Sequence, residues 1–152
     1  MLELADLSAT QQFARTLAPL MQQGDVITLK GAIGVGKTAF ARALIQALGG
    51  KEEVPSPTFT LVQTYDLDRL TVWHFDLFRL RYPIDVYELG IEEAMTEGLS
   101  LIEWPEKMKP YTIHQGIEIA FFFHIGVTRK VTITPHGNWR DRLYQLNWHC
   151  NE

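Results

Sequence analysis

Cysteine is nearly missing from this chain. A single one, Cys150, among 152 residues cannot form an internal disulfide, which excludes the small disulfide-stapled class. Long apolar runs are missing too. The longest, Ile119-Ala120-Phe121-Phe122-Phe123, is five residues, where about 20 are needed to cross a bilayer as a helix. The opening Met1-Leu2-Glu3-Leu4-Ala5-Asp6 has neither the basic stretch nor the apolar core of an export signal, so the expectation is a cytoplasmic protein with no membrane contact. Basic charge is scarce: 14 Lys and Arg against 18 Asp and Glu leave a formal net charge of -4. A domain that grips DNA or RNA by neutralising phosphates usually carries a basic excess, so DNA is not an expected partner, while the charge leaves room for nucleic acid held by a partner protein. No His and Cys set has zinc spacing. With no internal repeat and no compositional boundary, residues 1–152 are expected to form one domain, with a tail from about residue 135 of unassigned role.

What is present is a clear alternation of helical and extended patterns. Ser8 and Gln11 have the spacing of a capping box, and Phe13, Leu17, Leu20 and Met21 repeat on one face, predicting a helix over 9–22 that Gly24 ends. Residues 26–30 read as a strand running into Gly31. Phe40, Ala41, Leu44 and Leu48 mark a second helix that stops at Gly49-Gly50. Residues 51–58, with Pro55 and Pro57, read as a loop. Residues 59–65 and 70–75 are strand candidates joined by a connection short enough for a hairpin. Helix is expected over 83–97 with a break at Gly90, strands over 99–103, 117–125 and 130–134, and a closing amphipathic stretch over 139–146.

Between the first strand and the second helix lies Gly31-Ala32-Ile33-Gly34-Val35-Gly36-Lys37-Thr38. The spacing G-x-x-x-x-G-K-T is the Walker A pattern, and strand before with helix after is the context that makes it credible. Each position has a chemical reason. The glycines let successive backbone N–H groups curl round a phosphate, Lys37 reaches phosphate oxygens, and the Thr38 hydroxyl can ligate Mg²⁺ at a helix N-terminus. The implied fold is α/β: a P-loop NTPase-like three-layer arrangement, with a mixed sheet between helices and the loop at the carboxyl end of the strand holding Ile27 and Leu29.

Hydrolysis needs more than a cradle. Asp76 ends the strand 70–75, the placement of a Walker B aspartate that holds Mg²⁺, although it also suits a cap for the residues from Leu77. Glu103 ends the strand 99–103. It fits a group that orients the attacking water, a group supporting the metal, or the start of the turn before Pro105. Trp104 beside it is either core or a lid over nucleotide. Thr58 and Thr60 follow Pro55-Ser56-Pro57, at the distance from the loop where many NTPases keep a threonine that senses the terminal phosphate; in a β-rich segment a threonine is also an ordinary structural residue. His74 either orders Asp76 or packs as a satisfied core histidine.

Four blocks together carry a resemblance: residues 31–38, Ser56-Pro57-Thr58-Phe59-Thr60-Leu61, His74-Phe75-Asp76-Leu77-Phe78-Arg79-Leu80 and Ile102-Glu103-Trp104-Pro105-Glu106. In order and spacing the chain resembles, over about residues 8–135, the TsaE (YjeE) family, the P-loop ATPase of bacterial tRNA threonylcarbamoyladenosine formation. The resemblance implies ATP and Mg²⁺ as cofactors. It places Gly31, Ala32, Ile33, Gly34, Val35, Gly36, Lys37 and Thr38 on the phosphates, Asp76 and Thr38 at the metal, and Glu103 in hydrolysis. Thr58 and Thr60 would belong to a switch-like loop, and Trp104 would lie by the nucleotide. It implies a heterodimer of TsaD and TsaB type as partner, with tRNA engaged through that complex. Three positions depart from the pattern: Ala32 stands where an acid is common, Phe78 where tyrosine is frequent, and Lys107 where arginine is usual. Two rival readings use the same loop: a small-molecule kinase, which needs an acceptor pocket and usually an arginine-bearing lid, and a nucleotide-dependent switch without significant hydrolysis.

Overall fold

The computed structural model describes residues 1–51, 54, 57, 60–108 and 113–146. Seven strands form one sheet: β1 (Leu2–Leu4), β2 (Val26–Lys30), β3 (Val62–Asp66), β4 (Thr71–Asp76), β5 (Leu99–Glu103), β6 (Gly116–Phe123) and β7 (Arg129–His136). Their order across the sheet is β1-β7-β6-β2-β5-β4-β3. β2 runs parallel to both β5 and β6, and β4 runs parallel to β5, while β3, β7 and β1 add antiparallel partners at the two sides. The sheet is therefore mixed, and one of its three antiparallel pairs among the described residues is the hairpin expected after the loop: Val62 faces Phe75 and Asp66 faces Thr71.

The central strands are apolar on both faces because helices cover both. Period-two alternation sends Ile27, Leu29, Leu99 and Leu101 to one face, where they pack with Phe13 and Leu17 of α1 (Leu7–Leu17) and Phe40 and Leu44 of α2 (Lys37–Ala47). Val26, Phe75 and Ile102 go to the other, against Val86 of the 3₁₀ segment Pro83–Leu89 and Ile91 and Ala94 of α3 (Ile91–Glu97). Helices on both sides of a sheet make three layers. Gly90, at φ 84°, provides the break expected between the 3₁₀ segment and α3.

Two local expectations change. The cap of α1 is Asp6, whose Oδ1 accepts from the Ala9 amide at 2.9 Å. Ser8 lies inside the helix, so the capping box does not form. The helix also ends earlier than expected, at Leu17, and tightens into a 3₁₀ turn Ala18–Leu20, because Pro19 has no N–H to continue the α ladder. Residues 109–112, which include Pro110, lie outside the described residues.

The stretch after residue 135 has a structural task. In α4 (Trp139–Tyr144), Trp139 and Leu143 are buried in the same core as α1 and α2. Arg142 reaches the entrance of β2. Its Nη1 lies 2.6 Å from Asp25 Oδ2 and 3.0 Å from the Leu20 carbonyl, and its Nη2 donates to Gln22 Oε1 at 2.9 Å. Asp25 is fully buried. Removing one member of such a pair strands the other charge, at a cost of about 3–5 kcal/mol. Arg142→Ala is thus expected to lower the urea midpoint sharply. A midpoint within experimental error of wild type would show that the pair contributes nothing.

Candidate functional site

The carboxyl ends of β2, β5 and β4 bring the acids and the glycine loop together. Residues 31–36 connect the end of β2 at Lys30 to Lys37, the first residue of α2. Gly31 has φ 143°, and a Cβ there would meet the Phe121 carbonyl oxygen and Val35 Cγ1 at 2.8 Å, so no larger residue fits without movement. Gly36, at φ 119°, turns the chain into the helix. Ala32, Ile33 and Gly34 are exposed on the outer curve of the loop, whereas Val35 is buried beneath it. The first-turn amides of α2 have no acceptor within the helix and sit at its positive dipole end.

Lys37 is buried. Its ammonium donates to the Gly31 carbonyl and lies 3.7 Å from the centre of the Trp104 ring. Burial pulls its pKa below the usual lysine value, opposed by the negative charges of Glu103, Glu106 and Asp76. A buried cation facing a glycine loop and a helix N-terminus is chemically suited to a polyphosphate, which would supply the anionic partner that desolvation withholds.

Register decides which acid meets the loop. Glu103 is paired across the sheet with Leu29 on one side and Asp76 on the other. It stands between the strand that feeds the loop and the strand that ends in Asp76. Both carboxylates are buried. Glu103 Oε1 accepts from the Thr38 hydroxyl at 2.8 Å, and Oε2 lies 2.7 Å from His74 Nε2. His74 Nδ1 is buried without a hydrogen-bond partner. With Glu103 ionised, the Nε2 nitrogen must carry the proton in that contact. Asp76 Oδ1 accepts from the Phe78 amide at 3.1 Å. The residues after Asp76 make a turn, not a helix, so this bond shapes the turn. Among the described residues no three His, Cys, Asp or Glu side chains form a ready metal cage. Mg²⁺ does not need one, since it binds through one or two carboxylates, water and phosphate oxygens. Thr38, Glu103 and Asp76 offer that kind of donor set.

Trp104 follows Glu103 with φ 59° and tilts against Phe78, ring centres 5.0 Å apart. Among the described residues, Leu61 is the other non-glycine residue with positive φ, at 68°. Such conformations cost about 1–3 kcal/mol each and gather at functional sites. Leu61 sits next to Thr60 and accepts, through its carbonyl, from the Asp76 amide at 2.9 Å. The segment bearing Thr60 is therefore pinned to the residue that ends β4. Thr60 itself is exposed, its hydroxyl bonded to Gln63 Nε2 at 3.1 Å, and it is not gathered with Lys37 and Glu103. Thr58 lies outside the described residues. Two of the departures from the family pattern meet: Lys107 Nζ lies 5.8 Å from the Phe78 ring centre.

Sequence reasoning missed the partner of His74. The histidine holds Glu103, not Asp76. Position parity was the available signal, since His74 and Asp76 alternate onto one face. What sequence did not reveal is that β5 lies beside β4, which puts Glu103 on that face as well.

Known proteins resemble this chain over most of its length. Residues 4–131 match the family described as threonylcarbamoyl adenosine biosynthesis protein TsaE. The chain is 43% identical over 120 residues to the tRNA threonylcarbamoyladenosine biosynthesis protein TsaE of Rickettsia felis, covering 78% of this chain and 70% of that one. It is 31% identical over 144 residues to the protein of the same name from Bacillus subtilis, covering 93% and 90%. Among solved structures, the crystal structure of Bacillus subtilis YdiB superposes with a TM-score of 0.75 at 25% identity, covering 95% of this chain and 90% of that one.

Proposed function

This chain belongs to the TsaE family, and from that premise we propose that it is a Mg²⁺-dependent ATP hydrolase serving threonylcarbamoylation of adenosine 37 in tRNA. The observation that carries the reading is the Thr38 hydroxyl on the Glu103 carboxylate, in register with Asp76 and one helix turn or less from buried Lys37. Lys37 and the amides of residues 31–38 bind the phosphates. Thr38 and Asp76 hold Mg²⁺, with Glu103 beside them. Mg²⁺ held by these residues would supply charge neutralisation to the terminal phosphates. Glu103, fixed by two hydrogen bonds, orients the attacking water or accepts its proton. Trp104 closes the site on the side of Lys37.

ATP occupancy would be read out through the segment around Thr58 and Thr60, because its return is hydrogen-bonded to Asp76. In this reading the chain cycles on and off a heterodimer of TsaD and TsaB type, which meets the tRNA; the acidic net charge of -4 suits a subunit that leaves tRNA contact to its partners. No helix among the described residues is long and apolar enough to cross a membrane. Light scattering of the purified heterodimer with this chain is expected to show strong association under Mg-ATP and weaker association under ADP or no nucleotide. Equal association in all three states would remove nucleotide-gated assembly.

A further inference from the structure

We propose that Phe123 and Arg129, at the end of β6 and the start of β7, form the wall on which the purine base of the bound nucleotide stacks. The inference rests on the reading of residues 31–38 as the phosphate loop and extends it to a subsite. Direction comes from the order of strands. Thr38 bonds to Glu103 on β5, and Asp76 ends β4 one strand further. Mg²⁺ held by Thr38 and Asp76 would neutralise the terminal phosphates, which places them on the β5 side of the loop. The nucleoside must then leave on the opposite side of β2, and that side is β6.

The end of β6 is built to meet it. Phe121 is buried against Phe40 of α2, ring centres 6.0 Å apart, and its carbonyl crowds Gly31. Two residues on, Phe123 projects from the same face of the strand, beyond the cover that α2 gives Phe121, and is 55% exposed. Arg129 is its cross-strand neighbour, with the guanidinium carbon 4.8 Å from the ring centre. That guanidinium is fixed. Nε donates to the Val35 carbonyl in the glycine loop at 3.1 Å, and Nη1 donates to the carbonyls of Gly126 at 3.0 Å and Thr128 at 3.1 Å. A lone exposed phenylalanine is ordinary. This one is paired with a planar cation that is bonded to the phosphate loop itself. A flat aromatic and a flat cation beside the loop match the π-face of a purine.

The test is calorimetric titration of Mg-ATP and of Mg-tripolyphosphate into wild type, Phe123→Ala and Phe123→Trp. Losing one aromatic platform typically weakens a stacked base by about tenfold. Phe123→Ala is therefore expected to bind Mg-ATP about tenfold more weakly and Mg-tripolyphosphate with unchanged affinity, while Phe123→Trp keeps both. Mg-ATP affinity unchanged in Phe123→Ala, or both ligands weakened together, would overturn the subsite while leaving the phosphate loop intact. Wild-type protein that binds neither ligand would overturn the phosphate-loop reading, and the base wall with it.

Discussion

Glu103→Gln is expected to bind Mg-ATP within a few-fold of wild type and to lose about 10²–10⁴-fold in hydrolysis, the usual worth of a positioned acid–base group. The amide has nearly the shape of the carboxylate but only one acceptor oxygen. It can keep the bond from His74 and turn its NH₂ to the Thr38 hydroxyl, which then accepts, or keep the bond from Thr38 and set its NH₂ against the His74 N–H. Its charge is gone, so it neither takes a proton from water nor supports a metal as an anion. His74→Leu should follow in milder form, losing about 10–100-fold, the usual loss when a group that orients a site residue is removed. His74→Gln, which restores an N–H donor, should recover part of the loss. Single-turnover hydrolysis with a parallel titration of a fluorescent ATP analogue separates the two effects. Hydrolysis by Glu103→Gln within threefold of wild type would take Glu103 out of the chemistry.

Lys37→Met is expected to abolish stabilisation by nucleotide without harming the free protein. At ligand concentrations about 100 times Kd, wild type gains about 2.7 kcal/mol, which for a chain of this length raises Tm by about 5–10 °C. The variant should show no such rise. The free protein responds in the opposite sense. The folded pKa of Lys37 lies below the usual lysine value because burial disfavours its charge. Below both the folded and unfolded values, the folded state carries that cost in full, and stability rises as pH climbs through the folded value towards 10.5. Methionine removes the charge and the slope while keeping a flexible stem against Trp104. Free Lys37→Met should therefore melt no lower than wild type near neutral pH, with a flatter stability profile under alkaline conditions. An undiminished Mg-ATP shift in differential scanning calorimetry would mean that Lys37 does not hold phosphate.

How much of this was legible in the sequence depended on whether a feature is local. The glycine loop was, because Gly31, Gly36, Lys37 and Thr38 carry their reasons in a run of eight residues that continues directly from a strand into a helix. So was β5, whose residues match the expected 99–103, since a short apolar run ending in an acid and a Trp-Pro pair has little choice. β1 was invisible. Three residues have no detectable period, and Leu2–Leu4 become a strand only because β7, more than a hundred residues away, offers an edge. The cap of α1 was misplaced by two residues because Asp6 and Ser8 both qualify chemically, and packing of Phe13 and Leu17 decides where the helix begins. Asp25 and Arg142 gave no local signal of their pairing either, being 117 positions apart. In the site, Asp76 and Glu103 were each legible as acids at strand ends. Their adjacency, and the contact of Glu103 with both Thr38 and His74, follow only from strand order.

The central claim is that ATP turnover at Lys37, Thr38, Asp76 and Glu103 sustains tRNA modification. It is tested most directly by counting threonylcarbamoyladenosine formed per TsaD–TsaB-type heterodimer on purified tRNA, with this chain absent, present as wild type, or present as Glu103→Gln. Many modifications per heterodimer with wild type and Mg-ATP, falling to about one when the chain is absent or carries Glu103→Gln, is the predicted result. Many modifications per heterodimer in the absence of the chain, or undiminished modification with Glu103→Gln, would contradict it.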